Sequence, residues 1–171
     1  MRSSKTSADL DALAEIASRL CRAAAQLSAP SGGRSAAEEG KAAVQCRDAL
    51  LDRLAREFVP PMDRRDLAAL AIRFCAPAEI LAEIGTVPKG IGKKVKAAAD
   101  ALSGLAESLP KLDRPELIRP KIAEAFRCAG ALRASLAETD AEHQRGSAWI
   151  RFADACTACA EAVAIAAVMA M

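Results

Sequence analysis

The sequence predicts an all-α protein, a bundle of six up-and-down helices, and three observations lead to that class. Hydrophobic residues make up 52% of the 171 residues, but aromatic residues make up only 3% and tyrosine is absent. The apolar content is therefore largely Ala, Leu, Ile and Val, which favours closely packed helices. Apolar residues recur at spacings of three and four and no segment shows sustained period-two alternation, so helices and no sheet are predicted. Short connections between six such stripes predict antiparallel neighbours.

The first two helices are predicted from apolar stripes separated by a loop. The first stripe consists of Leu10, Leu13, Ala17, Leu20, Ala24 and Leu27. Turn-forming residues in segment 29–33 end it. Ser35, followed three residues later by Glu38, is a capping box that opens the second helix. Pro60 and Pro61 end that helix. Its stripe consists of Val44, Leu51, Leu54 and Phe58.

The third and fourth helices are bounded by capping residues and prolines. Asp63 is suited to cap the third helix, and Gly85 is suited to stop it. Its stripe consists of Leu67, Leu70, Phe74, Ala78, Leu81 and Ile84. Because Pro77 lies inside this stripe, we expect a kink or a local break there. The fourth helix lies between Pro88 and Pro110, with a stripe of Ile91, Val95, Ala98, Leu102, Leu105 and Leu109.

The last two helices flank a polar turn. Asp113 and Pro115 open the fifth helix, whose stripe consists of Ile118, Ile122, Ala125, Ala129, Leu132 and Leu136. The polar segment 138–146 predicts a turn. The sixth helix has a stripe of Trp149, Phe152, Cys156, Cys159, Val163, Ala166 and Ala170.

The chain is predicted to form a single domain, residues 1–171, made of two three-helix halves at about 7–85 and 90–170. Positions that recur on one face of each helix are predicted to be buried. They are Leu13, Leu20, Leu54, Leu70, Phe74, Leu102, Leu105, Phe126, Leu132, Phe152 and Val163.

Charge and cysteine usage narrow the class of protein. The formal net charge is only +2, from 24 basic and 22 acidic residues, so a nucleic-acid partner is not predicted. The six cysteines lack the spacing of a disulfide scaffold and the first ten residues are polar, so we expect reduced thiols and a cytoplasmic location. The most apolar segment, 159–171, contains Glu161 and is shorter than a membrane-spanning helix. It is predicted to be a buried helix end.

Few residues are candidates for catalysis or metal binding. Cys156 and Cys159 have the spacing of a redox or zinc half-site, but no second pair is close in sequence. Both lie on the apolar stripe of the sixth helix, so buried structural thiols are predicted. His143, the only histidine, lies in a polar turn with no nucleophile motif and is predicted to be an exposed loop residue. We therefore predict no catalytic residue, no cofactor and no enzymatic activity.

A cluster of lysines marks the start of the fourth helix. Its members are Lys89, Lys93, Lys94 and Lys96. A basic first turn attracts an anion, a phospholipid head group or an acidic loop of a partner. The alternative is a solvated helix end that keeps the protein soluble. These lysines are the candidate contact for a partner or an anion.

The segment 57–71, EFVPPMDRRDLAALA, carries the most specific pattern in the chain. It resembles the junction between the second and third helices of PhoU-like proteins encoded beside Pit-type phosphate transporters, where the pattern is F-[IV]-T-P-[FI]-D-R-E-D-I-x-x-L-A. The matching positions are Phe58, Val59, Pro61, Asp63, Arg64, Asp66, Leu70 and Ala71. The resemblance implies an accessory or regulatory protein that docks on a phosphate transporter or a signalling protein. It leaves open a homodimer and a location peripheral to the membrane.

The chain departs from this family at the metal ligands. In the family, metal ions bind to E-x-x-x-D pairs and to an L-D-D-x-x-D run, because carboxylates one helical turn apart converge on a hard cation. The positions of the two pairs are occupied by Gly40, Val44, Ala153 and Thr157, none of which is acidic. In the position of the run, only Glu79 is acidic. Glu38, Glu39 and Asp154 lie beside the positions of the pairs, where a register slip could restore one ligand. We therefore expect no metal ion.

Two other functions remain open at this point. One is a metal-binding protein built on a helical bundle, against which the missing carboxylates argue. The other is a general interaction scaffold unrelated to phosphate, since a helical bundle alone specifies no function.

Overall fold

The computed structural model describes residues 4–27, 33–56, 64–84, 87, 90–138 and 144–169. They form the helices α1 (Ser4–Leu27), α2 (Gly33–Arg56), α3 (Arg64–Glu83), α4 (Gly92–Ser108), α5 (Pro115–Glu138) and α6 (Gln144–Met169). A 3₁₀ turn, Leu109–Lys111, follows α4 directly. No strand occurs in these ranges, so the predicted all-α bundle of six helices is confirmed.

The helices α1, α3, α4 and α6 make the contacts that join the two halves of the bundle. α1 packs against α4, and α3 packs against α6. α2 packs mainly against α1 and α3, whereas α5 packs mainly against α4 and α6. α2 and α5 are therefore flanking helices, each with one broad face that none of the other described helices covers.

Contacts between side chains show that neighbouring helices are antiparallel. Near the start of α1, Asp9 accepts a hydrogen bond from Arg53 Nε near the end of α2, at 2.8 Å. At the other end of this pair, Arg19 Nη1 lies 3.1 Å from Glu39 Oε2. α3 and α6 are also antiparallel, since Arg151 Nη2 near the start of α6 lies 3.1 Å from Glu83 Oε2 at the end of α3.

The core is built from alanine, leucine and a few large side chains. Trp149, Phe74 and Phe152 are the largest side chains that are fully buried. The rings of Trp149 and Phe152 meet edge to face, with centroids 6.0 Å apart, the geometry that aromatic quadrupoles favour. Because alanine is about as frequent as leucine among the other buried residues, the helices approach closely at the alanine positions.

Ten of the eleven residues predicted to be buried are buried, and Phe126 is the exception. Its side chain is 36% exposed. Phe126 lies on the side of α5 that faces the edge of α6, and no further helix among the described residues covers that flank. The prediction for Phe126 is therefore wrong. Phe126 follows Ala125 directly, so it lies about 100° around the helix from the predicted stripe, whose residues Ala125 and Ala129 are buried.

The buried face of α2 is displaced from the predicted stripe. Its buried residues are Ala36, Gly40, Ala43, Leu50 and Leu54. Val44 and Leu51, which the stripe included, are half-buried. Small residues form much of the contact between α2 and its neighbours. A stripe chosen by its large aliphatic residues does not include them, so the predicted face is displaced. The helix also begins at Gly33, so that Ser35 lies inside its first turn and not at the cap.

The C-terminal end of α6 is only partly buried. Ile165, Val168 and Met169 are 65%, 64% and 76% exposed, so the prediction of a buried helix end is wrong for its outer face. Among the described residues, Ala148–Met169 is the one helical segment long and apolar enough to cross a membrane, and 44% of its most apolar part is buried in the bundle. Ala170 lies outside the described residues.

α3 continues through Pro77, so the local break expected there does not occur. Proline lacks the N–H that would bond the carbonyl four residues earlier, which here belongs to Arg73. The thiol of Cys159 on α6 donates a hydrogen bond to this carbonyl, with Sγ 2.6 Å from the oxygen. The neighbouring helix thus satisfies the acceptor that the proline leaves without its usual donor.

We expect Cys159→Ala to destabilise the protein by about 1 kcal/mol more than Cys156→Ala, since it also leaves a buried carbonyl without a donor. Both thiols are buried on α6, and no hydrogen bond from Cys156 is found among the described residues, which makes Cys156→Ala a matched control. Unfolding by urea measures both changes. In a Pro77→Ala background, which restores the N–H, the difference should vanish. An equal difference in both backgrounds would contradict this role of Cys159.

Candidate functional site

The residues of the junction motif do not form a site that the structure describes. Phe58, Pro61 and Asp63 lie outside the described residues, as does the side chain of Arg64. Asp66 lies in the first turn of α3 and is half-buried. The motif therefore remains a resemblance in sequence.

Lys93 and Lys94 lie in the first turn of α4 and border a groove between α4 and α5, whereas Lys89 lies outside the described residues. The groove, named here the α4–α5 groove, has a volume of about 600 Å³. Its lining residues are Lys93, Lys94, Ala97, Asp100, Ala101, Gly104, Lys121, Glu124, Arg127, Cys128 and Ala131. The fold thus combines two of the predicted lysines with basic residues that lie much later in the chain.

Two further cations reach the groove from α5. The Nζ atom of Lys121 lies 3.6 Å from the place that a Cβ atom would occupy on Gly104. The side chain of Lys121 therefore extends across the groove to the backbone of α4. Arg127, two turns later on α5, also lines the groove. The sequence analysis missed both residues because nothing in the spacing along the chain links them to the start of the fourth helix.

The two carboxylates in the groove already have basic partners. Asp100 accepts a hydrogen bond from Lys96 at 2.5 Å, and this bond raises the pKa of Lys96. Lys96 does not itself line the groove. Glu124 lies 2.5 Å from Arg127, and the hydrogen bond from Arg127 lowers the pKa of Glu124. Both carboxylates are therefore already paired with a basic side chain.

The lysines of the groove form no salt bridge within the described part of the chain, although the charge of Lys121 helps to lower the pKa of Glu124. Lys94 contacts the hydroxyl of Ser135, and Lys93 and Lys121 form no ion pair there. The lining contains four basic and two acidic side chains, so the groove carries an excess of positive charge. An anionic group would gain these lysines as partners without displacing an existing ion pair.

The floor of the groove is made of small side chains. Ala97, Ala101 and Gly104 lie on α4, opposite Cys128 and Ala131 on α5. Small residues at such spacing let another backbone approach closely. The combination of a shallow apolar floor and flanking lysines is suited to a peptide segment with acidic side chains.

The residual acids do not assemble into a metal centre. Glu39 pairs with Arg19 and with Arg22, at 3.1 and 3.2 Å. Glu79 pairs with Arg47, and Asp154 pairs with Arg133. Each of these carboxylates is therefore neutralised by arginine, and Glu38 is exposed on α2. Within the described ranges, no three His, Cys, Asp or Glu side chains are grouped so that they could hold a metal ion.

Close packing explains why Gly40 could not carry a metal ligand in this fold. A Cβ atom on Gly40 would lie 2.4 Å from Ala82 Cβ and 2.9 Å from the Ala78 carbonyl oxygen. α2 and α3 therefore touch at this position and leave no room for a carboxylate. In the second half, Ala153 is buried, and the Thr157 hydroxyl donates to the Ala153 carbonyl at 3.1 Å.

The cysteines form no reactive pair. All six are free, and Cys156 and Cys159 are buried, as predicted. Burial raises the pKa of both thiols and raises the pKa of Cys75 to about 12. Thiols with raised pKa values carry little thiolate and are poor nucleophiles and metal ligands. His143, the other residue considered for chemistry, lies outside the described residues.

Comparison with known proteins adds no relative to this description. No protein-family model matches the chain, and no curated protein sequence matches it significantly. The α4–α5 groove and the resemblance at the junction are therefore the observations on which a function is proposed.

Proposed function

We propose that this protein is a non-enzymatic accessory or regulatory protein that binds an acidic segment of a partner in the α4–α5 groove. The observation that carries the proposal is the excess of basic side chains over a floor of small residues. Lys93 on α4 and Lys121 on α5 form no salt bridge in the described part of the chain. Acidic side chains of a partner would pair with them.

The partner that we propose is a Pit-type phosphate transporter or a signalling protein of phosphate homeostasis. This part rests on the resemblance of segment 57–71 to the PhoU-like junction, and not on the groove. The groove supports the mode of action, since lysines at a binding surface steer an acidic partner and favour it over basic competitors. The protein would act in the cytoplasm by contact alone.

A binding experiment with the transporter encoded beside the gene tests the proposal. The purified protein is mixed with the detergent-solubilised transporter, and the affinity is measured at about 0.1 M and about 1 M salt. We expect the double variant Lys93→Glu, Lys94→Glu to bind roughly tenfold more weakly at the lower salt concentration. Lys121→Glu should also weaken binding, because Lys121 belongs to the groove but not to the first turn of α4. Lys41→Glu, an exposed lysine on α2, is the matched control.

The outcomes separate the two parts of the proposal. Equal losses of affinity for Lys41→Glu and Lys121→Glu would show a general effect of charge. They would contradict binding in the α4–α5 groove. Binding that fails for the unaltered protein, together with unchanged phosphate uptake after deletion of the gene, would contradict the phosphate role. A scaffold function unrelated to phosphate would then be the better account.

A further inference from the structure

A second groove, between α5 and α6, differs from the first in its chemistry. It has a volume of about 350 Å³, and its lining contains no acidic residue. Phe126 and Ile122 contribute from α5, and Ala164, Ala167 and Val168 contribute from α6. It is named here the α5–α6 groove. An apolar groove of this size on a flanking helix leaves a hydrophobic surface in contact with water.

The last turn of α6, which contributes Val168 to the groove, has further exposed apolar surface. Val168 and Met169, in the last turn of α6, are 64% and 76% exposed. No charged residue occurs in α6 after Glu161. Exposed apolar residues that are contiguous indicate a contact with another molecule, whereas isolated ones do not.

Arg119 gives the groove its charge. It is the one charged residue in the lining, it is exposed, and it forms no ion pair with a described residue. The occupant of the groove must therefore offer apolar surface to Phe126 and Val168, and negative charge to Arg119.

We propose that the α5–α6 groove docks on an anionic phospholipid surface. Val168, Met169 and Phe126 would enter the boundary between head groups and acyl chains, and Arg119 would pair with a lipid phosphate. Amphipathic surfaces that bind at this boundary combine these two features, and each basic residue near an anionic leaflet adds to the attraction.

A second copy of the chain fits this groove less well. In a two-fold contact, the same surface meets itself, and the lining brings no carboxylate to Arg119. Carboxylates do occur on the other side of α6, where Asp66 and Glu161 line the neighbouring groove against α3. The membrane therefore approaches α6 from the side of α5.

The docking is peripheral. α6 has the length and composition of a membrane-spanning helix, but Trp149 and Phe152 at its start are fully buried in the bundle. A spanning orientation would remove both rings from the core. Contact through the outer face of the last turns leaves the core intact.

Sedimentation with vesicles tests this inference, using the full chain and vesicles of phosphatidylcholine with and without an equal amount of phosphatidylglycerol. We expect sedimentation with the anionic vesicles and much less with phosphatidylcholine alone. Val168→Glu should reduce the affinity for the vesicles roughly tenfold, since it places a charge where the proposal has an apolar side chain entering the lipid. Arg119→Glu should reduce it several-fold and remove its dependence on salt.

Two control variants make the result specific to this groove. Ile72→Glu changes an apolar residue on α3 that is 51% exposed, and Lys93→Glu changes a basic residue of the α4–α5 groove. Both variants should bind the vesicles as the unaltered protein does.

Absence of sedimentation with anionic vesicles would overturn the inference, and so would equal losses of affinity for Ile72→Glu and Val168→Glu. So would a dimer in analytical ultracentrifugation that Val168→Glu dissociates, since a second copy would then occupy the groove. Loss of transporter binding by Lys93→Glu tests the proposed function separately.

Discussion

Replacing Phe74 by alanine is expected to lower the free energy of unfolding by about 3–5 kcal/mol. Phe74 is fully buried in α3, where it packs within a core that consists mostly of alanine and leucine. Small neighbouring side chains cannot extend to fill the space that a ring leaves, so the cavity persists and its cost adds to the lost hydrophobic burial. Unfolding by urea, followed by circular dichroism, measures the change.

The control for this prediction is Ile72→Ala on the same helix. Ile72 is 51% exposed, and its truncation should change the free energy of unfolding by only about 0.5 kcal/mol. Losses of equal size for the two variants would show that α3 does not pack as described.

Gly40→Ala is expected to destabilise the protein by about 1–3 kcal/mol, although the same change in most helices is stabilising. The added Cβ atom would lie 2.4 Å from Ala82 Cβ and 2.9 Å from the Ala78 carbonyl oxygen. Since one of these neighbours is backbone, α2 and α3 must move apart to admit a methyl group. The cost of that separation should exceed the gain of about 1 kcal/mol in helix propensity.

Gly130→Ala provides the matched control, because nothing lies within 4 Å of a Cβ atom at Gly130. This change on the exposed side of α5 should stabilise the protein by up to about 1 kcal/mol. Ala82→Gly in the Gly40→Ala background should restore part of the lost stability by removing the closer contact. If Gly40→Ala and Gly130→Ala both raised the melting temperature, the close approach of α2 and α3 would be contradicted.

Both proposed surfaces lie along α5. This helix packs against α4 on one side and α6 on the other, and no other helix within the described ranges covers its remaining face. The α4–α5 groove presents lysines over small residues, and the α5–α6 groove presents apolar side chains beside Arg119. A protein that docks on a transporter at a membrane surface would use one groove for an acidic segment of that partner and the other for the lipid beside it.

The sequence by itself determined the class of fold and the limits of most helices. A period near 3.6 is a local property, so stripes of Leu, Ala and Phe indicate helices without reference to the rest of the chain. Prolines and glycines mark the ends for the same reason, and α5 does begin at Pro115. The first-turn lysines Lys93 and Lys94 could also be identified as a candidate contact, because they are adjacent in sequence.

Only the tertiary structure decided which faces are covered and which residues meet. Lys121 reaches Gly104 and the Cys159 thiol reaches the Arg73 carbonyl, contacts that no local pattern predicts because they depend on how separate helices are placed. Ile122 lies on the predicted stripe of α5 and is still only half-buried, since α5 flanks the bundle. Periodicity identifies the apolar side of a helix, but burial requires a second helix opposite that side, and its position is fixed by the packing of the whole chain.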